Sequence, residues 1–205
     1  MHDEPLLAAI SCQSLRRISE FDLQNLASTS WAFAGLALRD FPLLTAIATQ
    51  AVETLSLTTG NPLGISNLAW AFAVLEFSDE PLLAAISVAA QVQISKFGPL
   101  HLANTAWALA VLQYADVPLC DAIAPESVRK LSQFEAQGLA MTAWSFAKLL
   151  LLDEPLMESI SSHSQARIHQ FGPQNVSNTL WSFARFEFVD EPLCAAIECA
   201  ALGLI

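Results

Sequence analysis

Phe171-Gly172-Pro173-Gln174-Asn175-Val176-Ser177-Asn178-Thr179-Leu180-Trp181-Ser182-Phe183-Ala184 is one copy of a motif that the chain writes five times. Its tryptophan recurs as Trp31, Trp70, Trp107, Trp144 and Trp181, at intervals of 39, 37, 37 and 37 residues. A second marker, proline followed by leucine, falls at Pro5, Pro42, Pro81, Pro118, Pro155 and Pro192 and keeps the same period. Two independent markers in one register establish a tandem repeat, and periods of this length are those of helical arrays.

Each unit reads as a pair of helices. The first opens at the Pro-Leu pair, and Asp-Glu-Pro-Leu recurs from Asp3, Asp79, Asp153 and Asp190. Proline is tolerated in a first turn, where its missing N–H has no helical partner to lose. The acids before it suit the free amides and the positive end of the helix dipole. Apolar residues follow at helical spacing, as in Leu82, Leu83, Ile86, Ile94 and Phe97, and we read these as one stripe. The second helix follows a Phe-Gly-Pro turn (Phe97-Gly98-Pro99, Phe171-Gly172-Pro173) and is expected to run about sixteen residues.

No stretch alternates with period two. The expected fold class is therefore all-α, a right-handed α-α superhelix (solenoid) of helix-turn-helix repeats. Five units fall at 5–41, 42–80, 81–117, 118–154 and 155–191, with a partial sixth at 192–205, all in one repeat domain. That last unit stops after one helix in an apolar tail, and no targeting sequence opens the chain. We therefore expect a fragment of a longer array.

A helical wheel advances 100° per residue. Three places after each tryptophan stand Ala34, Ala73, Ala110, Ala147 and Ala184; four places before it stand Ala27, Ser66, Ala103, Ala140 and Ser177. A large ring among small neighbours suits close helix approach. On that ground Trp31, Trp70, Trp107, Trp144 and Trp181 are expected to form the structural core, each costing about 3–5 kcal/mol if cut to alanine. The opposite shoulder carries Leu26, Ile65, Leu102, Leu139 and Val176, with Phe33, Phe72, Leu109, Phe146 and Phe183.

The rest of that helix is polar or small. Asn25, Gly64, His101, Gly138 and Asn175 stand six places before the tryptophan, and Ser28, Asn67, Asn104, Met141 and Asn178 three before. Thr29, Leu68, Thr105, Thr142 and Thr179 stand two before, and Gly35, Val74, Val111, Lys148 and Arg185 four after. We expect these positions to align as one surface strip. Asparagine amides match nucleobase edges, and helical-repeat proteins read single-stranded RNA with a few side chains per repeat. The same amides could instead bond a neighbouring unit's backbone. The candidate base contacts are Asn25, Asn67, His101, Asn104, Lys148, Asn175, Asn178 and Arg185.

A net charge of −11 disfavours a generic basic nucleic-acid binder, but the charge is segregated. Half of the twenty acids precede the Pro-Leu pairs, whereas Arg16, Arg17, Lys96, Arg129, Lys130 and Arg167 sit near the far end of the first helix. Those ends are about 24 Å apart, well beyond a Debye length of about 8 Å. The six bases are the candidate phosphate contacts, although acids at helix starts and bases at helix ends also complement the dipoles.

Composition closes other routes. The chain is 54% hydrophobic and 14% charged, against about 25% charged for an average domain, which argues against disorder. The longest uncharged stretches are broken by Gly98-Pro99 and by Thr58-Thr59-Gly60-Asn61-Pro62, so neither offers the roughly 20 apolar residues of a membrane span. Cys12, Cys120, Cys194 and Cys199 form no Cys-x-x-Cys pair and no histidine stands at ligand spacing; we expect no metal and read them as buried or half-buried apolar residues. The histidines form no triad, and no phosphate loop or HExxH motif is present, so neither catalysis nor a cofactor is expected.

The motif from Phe171 to Ala184 resembles the octotricopeptide repeat family, as do Leu102-Ala103-Asn104-Thr105-Ala106-Trp107-Ala108-Leu109-Ala110 and Ser66-Asn67-Leu68-Ala69-Trp70-Ala71-Phe72-Ala73. It is also similar to the related repeats found upstream of RAP domains. The resemblance covers essentially the whole chain. It implies sequence-selective binding of single-stranded RNA, without catalysis, in RNA processing, stability or translation in a chloroplast or mitochondrion. Unit four departs from the pattern with Met141 and with Pro125, which is expected to kink or split its first helix. Unit two has Thr58-Thr59-Gly60 in place of the Phe-Gly turn. The rival reading is a protein–protein interaction scaffold that uses the groove or the acidic edge. The expected partners are thus single-stranded RNA or other proteins, with no membrane and no metal.

Overall fold

The computed structural model describes residues 4–57 and 60–201, and every regular element among them is helical. In chain order the helices are α1 (Glu4–Arg16), α2 (Leu23–Gly35), α3 (Phe41–Leu57), α4 (Pro62–Val74), α5 (Glu80–Val92) and α6 (Pro99–Val111). They continue as α7 (Val117–Lys130), α8 (Ala136–Leu149), α9 (Glu154–Ala166), α10 (Pro173–Arg185) and α11 (Glu191–Ala201). Odd-numbered helices are the first of each pair. Asp3, Thr58, Thr59 and the end of the apolar tail lie outside the described residues.

The acids ahead of the Pro-Leu pairs start the first helices. Asp40, Asp79, Asp116, Asp153 and Asp190 each accept the backbone N–H three residues on, from Leu43, Leu82, Leu119, Leu156 and Leu193, at 2.8–3.1 Å. Each bond satisfies an amide that the helix leaves open. Two of these carboxylates also accept a serine hydroxyl from the preceding first helix, Ser11 to Asp40 and Ser161 to Asp190. A cap therefore doubles as a link between repeats.

The apolar stripe does not continue as α-helix to its end. α5 stops at Val92, and Ile94–Lys96 form a 3-10 turn before Phe97; equivalent turns are Ile18–Glu20, Leu131–Gln133 and Ile168–Gln170. With three residues per turn, positions three apart fall on one side, so Leu131 and Phe134 are both buried at such a corner. Pro125 does not split α7. Its ring lies on the exposed side, and the helix loses a single backbone bond there.

The second helices span thirteen or fourteen residues, shorter than expected. They end because Ala37, Glu76, Gln113, Leu150 and Glu187, each six places after its tryptophan, turn left-handed with φ of 53–61°. The residue after each donates back to the helix, as in Phe77 N–H to the Phe72 carbonyl at 3.0 Å. Glycine usually fills this closure, and a side chain there costs about 1–2 kcal/mol. Gln113→Gly should therefore raise the stability of its unit by about 1 kcal/mol, seen as a higher urea midpoint.

Packing gathers the chain into two compact units, residues 1–93 and 94–205. In the first, α1, α3 and α5 pack in succession as one layer, and α2 and α4 form the other. In the second, α7, α9 and α11 make one layer and α6, α8 and α10 the other. Each unit is a two-layer stack of helix pairs, as a helical repeat requires. Between the layers lie Leu26, Phe33, Leu44, Ile47 and Phe72 in the first unit, and Leu109, Ile123, Leu139, Phe146 and Ile160 in the second. No helix among the described residues is long and apolar enough to cross a membrane.

The tryptophans are not in that core, which corrects the expectation for all five. Trp31 is 52% and Trp181 42% exposed, and Trp70, Trp107 and Trp144 are half-buried. The reason is angular. Phe33 and its equivalents stand two places on, about 200° round the helix, and they face the other layer. The small residues beside the tryptophan make the seam between neighbouring second helices: Ala27, Ala34, Ser66 and Ala73 are all buried. The indole rides on the outside of that seam.

The cysteines also divide. Cys120 is buried, and burial, helped by the charges of Asp116 and Asp121, pushes its thiol up to about 12. Cys199 is half-buried, but Cys12 and Cys194 are exposed. Cys12 stands seven places after its proline, where Val88 also faces solvent.

Candidate nucleic-acid interface

The face left to solvent on the second helices is built round the indoles. Trp31 and Trp70 pair as tilted rings with centroids 6.2 Å apart at 31°, and Trp144 and Trp181 at 6.3 Å and 37°. One turn to either side stand the residues three before and four after each tryptophan. Asn67 and Asn104 are half-buried there, and their amides make no hydrogen bond among the described residues, to a neighbouring backbone or otherwise. Asn178 accepts from Gln174 at 3.2 Å. In the second unit Lys148 and Arg185, four places after Trp144 and Trp181, are exposed. Near Met141, Leu100, Ala103, Gln137 and Gly138 help to line a cavity of about 240 Å³.

The other two expected positions do not share this strip. Six places before the tryptophan is about 120° away, and two before is about 160° away. Asn25 is a cap: its Oδ1 accepts the Asp22 N–H at 3.2 Å, while Asp22 accepts the Asn25 N–H at 2.8 Å. His101 does the same work, its Nδ1 accepting the Gly98 N–H at 3.1 Å. In each case an acceptor atom of the side chain is already bonded to the backbone of its own turn. Gly64 is buried, and a Cβ there would come within 3.0 Å of Leu23. Asn175 is half-buried at the same position. Thr105, Thr142 and Thr179 are wholly buried.

The cap role of His101 makes the second unit acid-sensitive. Burial, reinforced by the charge of Lys130, holds the ring below its ordinary 6.5. A group whose folded value is lowered adds stability that is whole above the unfolded value and is lost as pH falls through the folded one. Protonation also removes the acceptor. The wild type should lose about 1 kcal/mol on going down from pH about 6.5, measured as urea midpoints. His101→Gln keeps an acceptor at this position and should flatten that part of the profile.

The basic edge turns out to be engaged in structure at four of its six positions. Lys130 Nζ donates to the Ser95 and Phe97 carbonyls at 2.8 and 2.6 Å. Arg167 donates to the Phe134 and Ser132 carbonyls at 2.6 and 2.9 Å. The two stand at the same place in successive repeats, each fastening the 3-10 turn of the repeat before. Lys130 and Arg129 both pair with Glu126, at 2.6 and 2.5 Å. Burial works to raise the Glu126 carboxyl, but hydrogen bonds from Arg129 and Lys130 outweigh it and hold the group below the usual range. Arg17 pairs with Glu20 at 2.5 Å on the surface, where such pairs contribute little. Arg16 and Lys96 are exposed and have no ion-pair partner among the described residues.

Reading the sequence missed two features: the solvent-facing indoles and the carbonyl staples. The first was signalled by the angle between Trp31 and Phe33. The second had no signal, because the acceptors are backbone atoms of another repeat. No group of three or more His, Cys, Asp or Glu among the described residues is placed to hold a metal. No curated protein matches the chain. The family model described as RNA-editing substrate-binding complex 6 protein matches residues 1–203. Two stacks of helix pairs, matched almost from end to end by that model, place the chain in the RNA-editing substrate-binding complex 6 protein family.

Proposed function

We propose that the protein is a non-catalytic repeat protein that binds single-stranded RNA selectively by sequence, along the outward face of its second helices. One observation carries the proposal. Asn67 in the first unit and Asn104 in the second hold amides with no hydrogen bond among the described residues, each beside its own half-buried indole, and within the second unit Lys148 and Arg185 are exposed one turn after theirs. Unbonded amides at a recurring position are free to pair with base edges, and the two cations can meet phosphate. The family description, which names an RNA-editing substrate-binding complex, supports RNA as ligand and other proteins as companions. It favours a mitochondrion over a chloroplast as the setting. The recurrent motif supports a kinship with octotricopeptide repeats within that frame.

The test is selection from randomised single-stranded RNA at two salt concentrations. The proposal expects enriched sequences, and affinity falling with a slope of about −0.7 per phosphate neutralised. Replacing Lys148 and Arg185 together by methionine should lower the slope by about 1.4, and Asn104→Ala should change the preferred sequence. Recovery of no enriched sequence at either salt concentration would overturn the selective reading.

A further inference from the structure

We infer that the paired indoles are stacking platforms for nucleobases, Trp31 with Trp70 in the first unit and Trp144 with Trp181 in the second. This rests on the single-stranded RNA reading and names what takes the bases. Three observations carry it. The core between the layers is complete without the indoles, since Phe33, Phe72 and Phe146 fill it. The seam beside Trp31, Trp70 and Trp144 is closed by buried alanine and serine, Ala27, Ala34, Ser66, Ala73, Ala140 and Ala147, whereas Ser177 and Ala184 beside Trp181 are exposed. The largest aromatic side chain nevertheless recurs at an outward position in all five repeats, where it leaves Trp31 and Trp181 about half wet.

The polar surroundings suit a base. A residue three before the ring offers an amide at Asn67 and Asn178, and a residue four after offers a cation at Lys148 and Arg185. The plane of a base could lie on the ring while its edge meets the amide and its phosphate meets the cation. Charge arithmetic points the same way. With a net charge of −11, phosphate attraction is a poor sole source of affinity, whereas aromatic stacking acts on uncharged faces and tolerates any base.

The experiment uses the full chain and three probes of equal length: oligouridine, oligoadenosine and an abasic strand with the same phosphates. Indole fluorescence should be quenched by both RNAs, and the abasic strand should bind at least about 5-fold more weakly. Trp31→Leu with Trp181→Leu should weaken RNA binding by about 5- to 150-fold per base engaged, and phenylalanine at both sites should recover part of it. The urea midpoint of the leucine variant, read alongside, separates loss of stacking from loss of fold. Equal binding of abasic and base-bearing strands, or RNA binding that leaves indole emission unchanged, overturns the stacking platforms while leaving the RNA reading intact. Binding of no strand at all overturns both.

Discussion

Phe72→Ala is expected to destabilise the first unit by about 3–5 kcal/mol, whereas Trp31→Ala, on the same layer, should cost about 2 kcal/mol or less. The larger ring gives the smaller loss. Phe72 is 1% exposed between the two layers, so its removal leaves a cavity with nothing to fill it. Trp31 is already half in water, and solvent closes over the gap when it goes. In a stack whose units hold one another by neighbour contacts, the Phe72 loss should open its own repeat first. Urea unfolding followed by circular dichroism measures both. The reverse order of the two variants would restore the indoles to the core.

The second large effect concerns Lys130 and Arg167. Each donates to two backbone carbonyls of the preceding repeat, and hydrogen bonds from a charged group contribute about 1.5–3 kcal/mol. Lys130→Met and Arg167→Met should each destabilise the second unit by about that amount and leave the salt dependence of RNA binding unchanged. Residues that held phosphate would behave oppositely. Their loss would shift the salt slope by about 0.7 each and leave the unfolding midpoint where it was.

These two contrasts show where a sequence carries information and where it does not. The repeat and its helical class stand in the chain as periods, because every unit must meet the same neighbours. The caps were readable too: Asp79 and Asp153 stand immediately before a Glu-Pro-Leu, and both accept the expected amide. Helix ends were less readable. The left-handed closure at Gln113 and Leu150 uses residues with no preference for that conformation, so nothing in their identity announces it. The tryptophans misled by composition alone. An indole among alanines looks like core until its angle from Phe33 is given its full weight. The candidate site divided in the same manner: Asn67 and Lys148 lie where the wheel puts them, while Asn25 and His101 were claimed by local amides of their own turns. A hydrogen bond to a nearby backbone atom leaves no periodic trace.

The proposed path of RNA is along the second-helix faces and not along the basic ends of the first helices. Photo-crosslinking a 4-thiouridine-substituted oligouridine to the full chain, with the adducts located by mass spectrometry, tests this directly. Adducts are expected at Trp31, Trp70, Trp144 and Trp181, at Asn67 beside Trp70, and at Asn104 beside Trp107. Adducts confined to Arg16, Arg17, Lys96 and Arg129, with the indoles unmodified, would contradict it.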